Sequence, residues 1–300
     1  MARSPEGATG PAPVQRPGAE GIGLPSLSTR DFKRLSAFVN ARAGIKITEG
    51  KKVLFESRLQ KRLRHLGLGD FSEYCDFLFS GEGIEAELHH MIDAVTTHKT
   101  DFFREADHFD FLSGVALPGL AEVPGKGRIV VWSAGCSTGE EPYTIAMILS
   151  EYAKGPAGAG LSFAILATDI SNAVLQSARR AVYSEEQIVP IPVRLRERYL
   201  LRSRDRTKRI VRIAPELRAM ICFSAVNLIE NDFADIEPAD IIFLRNVIIY
   251  FDREVQKKLL LAICGRLAPR GYLFMGHSEA LHGFDLPLVR VGPSVYRRTA

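Results

Sequence analysis

Four apolar runs set the limits on how this chain can fold: RIVVWSAG, LSFAILATD, ADIIFLRN and GYLFMGHSE, beginning at residues 128, 161, 239 and 271. They are near-continuous rather than alternating, so each is expected to be buried on both faces, the condition of a strand in a parallel sheet. Stretches of helical period lie between them, among them EPYTIAMILSEYA, NAVLQSARRAVY and REVQKKLLLAICGRLAP. Strand, helix and strand in alternation dictate an α/β fold with a doubly wound parallel sheet. Ligands of such sheets bind beyond the carboxyl ends of the strands. One run sets Arg245 and Asn246 inside apolar sequence, FLRNVIIYFD at 243–252. An unpaired buried guanidinium is costly, so the pair marks a strand end opening onto a ligand crevice; a salt bridge from Arg245 to Asp252 or Glu279 is the plainer alternative.

Upstream the texture changes. Residues 1–27, rich in Pro, Gly and Ala without apolar period, are expected to form a flexible tail. A helix follows, capped by Ser28 or Thr29, carrying Phe32, Leu35, Phe38 and Val39 at helical spacing and closing near Gly44. A second, over about 49–66, places Phe55, Leu59, Leu63 and Leu66 on one stripe and Lys51, Arg58, Arg62 and His65 on another. Further helices over about 71–79 and 83–95 complete a small all-helical unit at 28–95. Residues 96–108 link it to a second unit, 109–300. Inside that unit, the arginine-dense segment with short β-branched runs between Tyr199 and Phe223 predicts a small antiparallel β-subdomain over about 199–224.

At 300 residues and 46% hydrophobic composition the chain can bury a sizeable core. A formal charge of +4, from 39 Lys+Arg against 35 Asp+Glu, is too mild and mixed to argue for nucleic acid, and no aromatic-basic platform accompanies it. Cys75, Cys136, Cys222 and Cys264 are scattered, so neither a disulfide framework nor a zinc site is read, and a reducing cytoplasm fits best. The start of the chain lacks the compact apolar core of a secretory signal, and no apolar run is long enough to span a membrane. The expectation is a cytoplasmic protein without metal, nucleic-acid partner or membrane insertion.

The first strand runs into SAGCSTGEEPYT, where Gly135 and Gly139 permit a tight turn and close backbone approach before a helix N-terminus. The spacing is G-x-x-x-G rather than the G-x-G-x-x-G of a dinucleotide binder, and Glu140 and Glu141 stand where a pyrophosphate would approach. An ordinary strand-to-helix turn would look similar. The second strand ends in ATDIS, with Asp169 placed either to accept hydrogen bonds from ribose hydroxyls or to cap a helix. A glycine turn without phosphate preference and a ribose acid together fit S-adenosylmethionine better than a nicotinamide cofactor. The linking segment VTTHKTDFFRE is rich in side chains that need partners, Thr100, Arg104 and the Phe102-Phe103 pair, while its His98 has no second His or Cys nearby to make a metal site.

In this order, VTTHKTDFFRE, WSAGCSTGEEPYT, ATDIS, SAVNL, FLRNVIIYFD and LAPRGYLFMGHSE closely resemble the CheR family, the S-adenosylmethionine-dependent methyltransferases of bacterial chemoreceptors. The likeness runs from about Thr29 to Tyr296. It implies a helical N-terminal domain, a Rossmann-like class I methyltransferase domain and a small β-subdomain. It also implies methyl transfer to glutamate side chains of methyl-accepting chemotaxis receptors, giving glutamyl methyl esters and S-adenosylhomocysteine. Position by position, the family's cofactor contacts fall on Thr100, Arg104, Glu141, Asp169, Asn227, Leu228, Arg245 and Asn246. His98 stands where the family carries asparagine, and imidazole also donates or accepts a hydrogen bond.

A glutamate side chain, with a pKa near 4.3, is already an anion at neutral pH, so its attack on a sulfonium methyl needs no general base. What remains is alignment and exclusion of water. Arg104 is the candidate to pair with a carboxylate, of the cofactor or of the incoming glutamate, and Tyr250 the candidate to border the methyl group. The resemblance makes the basic face of the second helix, Lys51, Arg58 and Arg62, a receptor-docking surface; as a charge run alone it would be a solvated face. Relatives that tether to a receptor's C-terminal pentapeptide carry a glycine-rich β-subdomain loop, whereas RSRDRTKR at 202–209 has none, which argues against tethered docking. A non-catalytic member of the same fold, a nicotinamide dehydrogenase and a nucleic-acid methyltransferase are the competing classes.

Overall fold

In a computed structural model the described residues are 26–96, 98–205 and 207–299. Residues 1–25, most of the expected tail, lie outside them. Leu27, assigned to that tail, is instead 2% exposed and shares a core with Phe32. It occupies the position before the N-cap, where an apolar side chain staples the start of a helix.

The first unit is four helices: α1 (Thr29–Ala43), α2 (Lys52–Leu66), α3 (Phe71–Leu78) and α4 (Gly81–Val95). Their starts follow from capping. Ser28 Oγ accepts the Asp31 N–H at 3.0 Å, Asp70 the Glu73 N–H at 2.9 Å and Ser80 the Gly83 N–H at 3.0 Å. Gly44 and Gly67 close α1 and α2 in the left-handed conformation. Phe32, Leu35, Phe55, Leu59, Leu63 and Tyr74 make the shared core, with Phe38 and Leu66 at its edge.

An irregular segment leads into α5 (Asp107–Phe111), a π-helical turn (Leu112–Ala116) and α6 (Leu117–Ala121). Beyond it lies a seven-stranded sheet in the order β6-β2-β1-β7-β8-β10-β9. Its members are β1 (Arg128–Ala134), β2 (Ser162–Asp169), β6 (Ile221–Ala225), β7 (Ala239–Leu244), β8 (Leu267–Met275), β9 (Leu288–Gly292) and β10 (Val295–Arg298). From β6 to β8 the pairing is parallel. The expected all-parallel sheet fails at one edge, where β10 runs antiparallel to both β8 and β9. Only Pro293 and Ser294 separate β9 from β10, and so short a connection can only form a hairpin.

Side chains of β1 alternate between two cores, Ile129 and Val131 facing one way and Val130, Trp132 and Ala134 the other. Helix α7 (Glu140–Lys154) packs on the first face and α11 (Arg253–Arg266) on the second. Phe243 and Phe274 stack across β7 and β8 with centroids 4.4 Å apart.

The small sheet, β3 (Val182–Ser184), β5 (Ile210–Ile213) and β4 (Leu200–Arg202) in that order, differs in extent from the predicted 199–224. It begins earlier, because α8 (Asn172–Arg180) stops at a left-handed Ala181 and the β-prone Val182-Tyr183 pair turns into a strand rather than continuing the helix. It ends earlier too. After α9 (Val193–Tyr199) and α10 (Pro215–Ala219), the segment Ile221–Ala225 pairs with β2 in the main sheet.

Candidate functional site

The strand order reverses direction at β1, which has β2 on one side and β7 on the other, and the carboxyl ends of these strands open into one cleft. The cleft measures about 910 Å³ with its mouth included, the size of a small-molecule site. Apolar Ile170, Val226, Leu228 and Val247 line part of it, and Ala43, Ile45 and Thr96 of the helical unit close one side. His98, Thr100, Arg104, Glu141 and Asp169 line it as well, as do Asn227, Leu228, Arg245, Asn246 and Tyr250. The ten side chains named from sequence as catalytic or cofactor-binding are thus brought to one place.

The β1 turn depends on glycine. Gly135 has φ +86°, and a Cβ there would sit 2.5 Å from Val247 Cγ2. Asp169, at the tip of β2, holds this turn: Oδ2 accepts the Ser137 N–H at 2.9 Å and Oδ1 the Ser171 N–H at 3.0 Å. The helix cap is Ser171, not Asp169. A carboxylate has about four lone-pair sites, so Asp169 keeps acceptor capacity toward the cleft. Burial raises its pKa, against the opposing pull of those two N–H groups. Burial likewise lowers the pKa of His98, whose Nε2 is buried without a hydrogen-bond partner among the described residues.

Arg245, its side chain 3% exposed, pairs with neither Asp252 nor Glu279. Its guanidinium reaches Glu141 at 3.0 Å and Glu105 at 3.1 Å, donates to the Arg104 carbonyl and lies over the Phe109 ring. Burial raises the pKa of Glu141, with Arg245 and the Ser133 hydroxyl (2.7 Å) working against it. At the less buried Glu105, Arg245 and the His277 N–H outweigh desolvation and hold the carboxyl below its ordinary range. Glu279 instead accepts backbone N–H groups of Asn246 (2.6 Å), Gly276 (2.8 Å) and Ile248 (2.8 Å), which fixes Asn246 at φ +59° after β7. Asp252 caps α11 through Val255 N–H at 3.0 Å.

Residues 98–292 match the sequence profile described as "CheR methyltransferase, SAM binding domain", and residues 30–96 the one described as "CheR methyltransferase, all-alpha domain". The chain belongs to the CheR methyltransferase family. Its relatives include the chemotaxis protein methyltransferase of Borreliella burgdorferi, 38% identical over 276 residues (91% of this chain, 95% of that one). That of Escherichia coli is 36% identical over 271 residues, covering 90% and 91% of the two chains. Chemotaxis protein methyltransferase 2 of Pseudomonas aeruginosa is 38% identical over 266 residues, covering 89% and 92%.

In this CheR chain the cleft suits the cofactor that the profile names. Gly135 leaves room that a side chain would fill, the uncommitted Nε2 of His98 and lone pairs of Asp169 await polar partners, and Ile170, Val226 and Leu228 offer an apolar surface. The sequence reading passed over Glu105 and Ser137. Glu105 is the last letter of DFFRE, and a buried arginine elsewhere in the chain was the signal that a counter-ion was missing. Nothing in the sequence marks Ser137, which acts through its backbone N–H and donates its hydroxyl to the His98 carbonyl at 3.0 Å.

The three basic residues of α2 and the turn before it part company. Arg62 makes a bidentate pair with Glu87 at 2.6 and 2.7 Å, and Glu87, 1% exposed, also accepts from Tyr74. Arg58 donates to the Val95 and Thr96 carbonyls at 2.7 and 3.3 Å, capping α4. Both are turned into the helical unit, because residues four apart on α2 share the face that α4 covers. Lys51 is exposed, with its ammonium 5.9 Å from the Tyr250 ring centroid. Lys51, Lys46, Leu54, Arg58 and Tyr250 line a second groove, which shares Ile45, Thr96 and Tyr250 with the cleft.

Proposed function

We propose that this chain transfers the methyl group of S-adenosylmethionine to glutamate side-chain carboxylates of bacterial chemoreceptors, giving glutamyl 5-O-methyl esters and S-adenosylhomocysteine. The carrying observation is the meeting of cleft and groove at Tyr250: the cofactor family's motifs line one side and a basic, partly apolar channel reaches it from the other.

Bound S-adenosylmethionine supplies an electrophilic methyl on a cationic sulfur. The incoming glutamate is anionic at neutral pH, so this chain need not remove a proton. Asp169 accepts hydroxyl groups of the nucleoside with the lone pairs its backbone contacts leave over. Arg245 compensates the charge of Glu141 and holds it at the cleft wall. Arg104, with Nη1 on the Lys99 carbonyl at 3.0 Å, keeps further donors for a carboxylate. Tyr250 borders the reacting groups and excludes water between cleft and groove.

Lys51 and Lys46 meet the acidic receptor surface along the groove, while Arg58, at the groove wall, and Arg62 hold α2 in shape. Docking proceeds without the pentapeptide tether, since the loop between β4 and β5 carries no glycine. The protein acts in the cytoplasm and has no nucleic-acid substrate; among the described residues no helix is long and apolar enough to cross a membrane.

The test is transfer of labelled methyl from S-adenosylmethionine to receptor-enriched membranes by wild type, Arg104→Ala and Asp169→Ala, followed by mild alkali. Alkali-labile label on a receptor band, lost in both variants, is the expected result. Tight cofactor binding with no alkali-labile label on any receptor would replace this reading with a non-catalytic one.

A further inference from the structure

Behind the cleft wall, the segment leading into α5, α5 itself and the turn after β8 bring Glu105, His108 and His277 together, with one ligand-type atom from each within 4.8 Å of the others. Beyond Glu105's contacts with Arg245 and the His277 N–H, the three have no role described above.

His108 is 0% exposed, its ring set edge-on between Phe274 and His277 at centroid distances of 5.7 and 4.8 Å. Its Nε2 is 3.2 Å from the Pro293 carbonyl, which can only accept, so Nε2 carries the proton. Nδ1 then presents a lone pair; it has no hydrogen-bond partner among the described residues and lies 3.5 Å from Glu105 Oε2. Two acceptors face each other across that gap. The other tautomer only moves the conflict to Pro293. A cation on Nδ1, a proton or a metal ion shared with Glu105 Oε2, resolves it. What the geometry lacks is a cation.

His277 is arranged in the same way. Its Nε2 lies 3.1 Å from Asp107 Oδ2, so it donates to that carboxylate and leaves Nδ1 as a lone pair. Metal-bound histidines hold their second nitrogen on a carboxylate or a backbone carbonyl, and here one ring has each. We infer that Glu105, His108 and His277 form a three-ligand site for a divalent transition-metal ion of the zinc class. Two imidazoles and one carboxylate suit zinc and its neighbours, whereas calcium and magnesium prefer oxygen ligands. With metal-ligand bonds of about 2.0–2.2 Å, tetrahedral ligands stand roughly 3.4 Å apart, near the His108–Glu105 separation already present. His277, 45% exposed at its side chain, has the freedom to close the third edge.

Glu105 is not otherwise idle. Oε2 also accepts from Arg245 Nη2 at 3.1 Å and the His277 N–H at 3.3 Å, and Oε1 from Asn246 Nδ2 at 3.4 Å. An ion on Oε2 therefore competes with Arg245 and shifts that guanidinium toward Glu141 at the cleft. The site is a regulatory one by position, and its existence does not depend on which substrate is methylated.

The full chain, stripped of metal, is titrated with Zn²⁺ by calorimetry and with Co²⁺ by visible absorption. One ion per chain is expected, with a ligand-field band for Co²⁺. His277→Ala, which removes a half-exposed side chain, should weaken Zn²⁺ binding 10-fold or more, and Asp107→Asn about 10-fold through loss of its hold on His277. Unchanged affinity in His277→Ala, or no ion bound by the wild type, would overturn the inference. So would ¹⁵N spectra showing both nitrogens of His108 protonated at neutral pH with Zn²⁺ present, since the missing cation would then be a proton.

Discussion

Reversing the charge of Arg62 strands Glu87, a carboxylate with almost no access to solvent, beside the Tyr74 hydroxyl. Removing one member of a buried pair costs about 3–5 kcal/mol, so Arg62→Glu should shift the denaturant midpoint strongly and take methyl transfer down with it. Lys51→Glu, on an exposed side chain, should change stability by less than about 0.5 kcal/mol while lowering receptor methylation and sparing cofactor affinity. Unfolding curves beside transfer assays separate the two. The sequence showed that the α2 region is basic, but a charge count does not say which way a side chain turns; the buried Glu87 that claims Arg62 lies two helices away. Gly135 is a second case at this scale. Gly135→Ala must accept both a left-handed φ and contact with Val247, so a loss of about 1–3 kcal/mol and a weakened cofactor titration are expected.

Helices with their own punctuation were readable: Ser28 and Gly44 bracket α1, Asp70 starts α3 and Asp252 starts α11. Elements decided by distant partners were not. Helix α8 ends at Ala181, which no local signal marks, and β6 earns its place only through pairing with β2. The antiparallel edge was hidden for the same reason, since β9 and β10 are short and carry arginines rather than an apolar run. On α7, Glu151 gathers Lys154, Arg194, Arg198 and the Tyr199 hydroxyl, tying that helix to α9. Although desolvation opposes it, this company lowers the pKa of Glu151 from 4.5 to about 2. A carboxyl depressed on folding stabilises the protein above its unfolded pKa and loses that contribution as pH falls through the folded value. The stability gap between wild type and Glu151→Gln should therefore be constant above pH 5 and close between about pH 4.5 and 2, measured by thermal unfolding across that range.

The two units are joined at the cleft itself. Asn227 Nδ2 donates to the Arg42 carbonyl at 2.9 Å, Lys46 N–H to the Tyr250 carbonyl at 3.0 Å, and Ala43 and Ile45 complete the wall. Cofactor at 100 times its dissociation constant should stabilise the folded chain by about 2.7 kcal/mol. The gain should appear in both units at once, with Trp132 fluorescence and far-ultraviolet dichroism giving coincident transitions; Asn227→Ala should pull them apart. At this scale most of the motifs lie at strand ends, which the topology gathers around one cleft, while VTTHKTDFFRE joins them from the segment between the two units. What joined them, Arg245 with Glu105 and Glu141, spans separations that only folding closes. Phe103, Glu105, Ser137 and Asn246, none of them glycine, all hold positive φ around this region. Their backbone, as much as their side chains, restricts what can replace them: in a saturation library all four positions should reject Val and Ile. A map of rejected substitutions would then trace the backbone that supports the cleft with no ligand added, and a transplant of the motifs into another sheet would need these four backbone conformations as well as the letters.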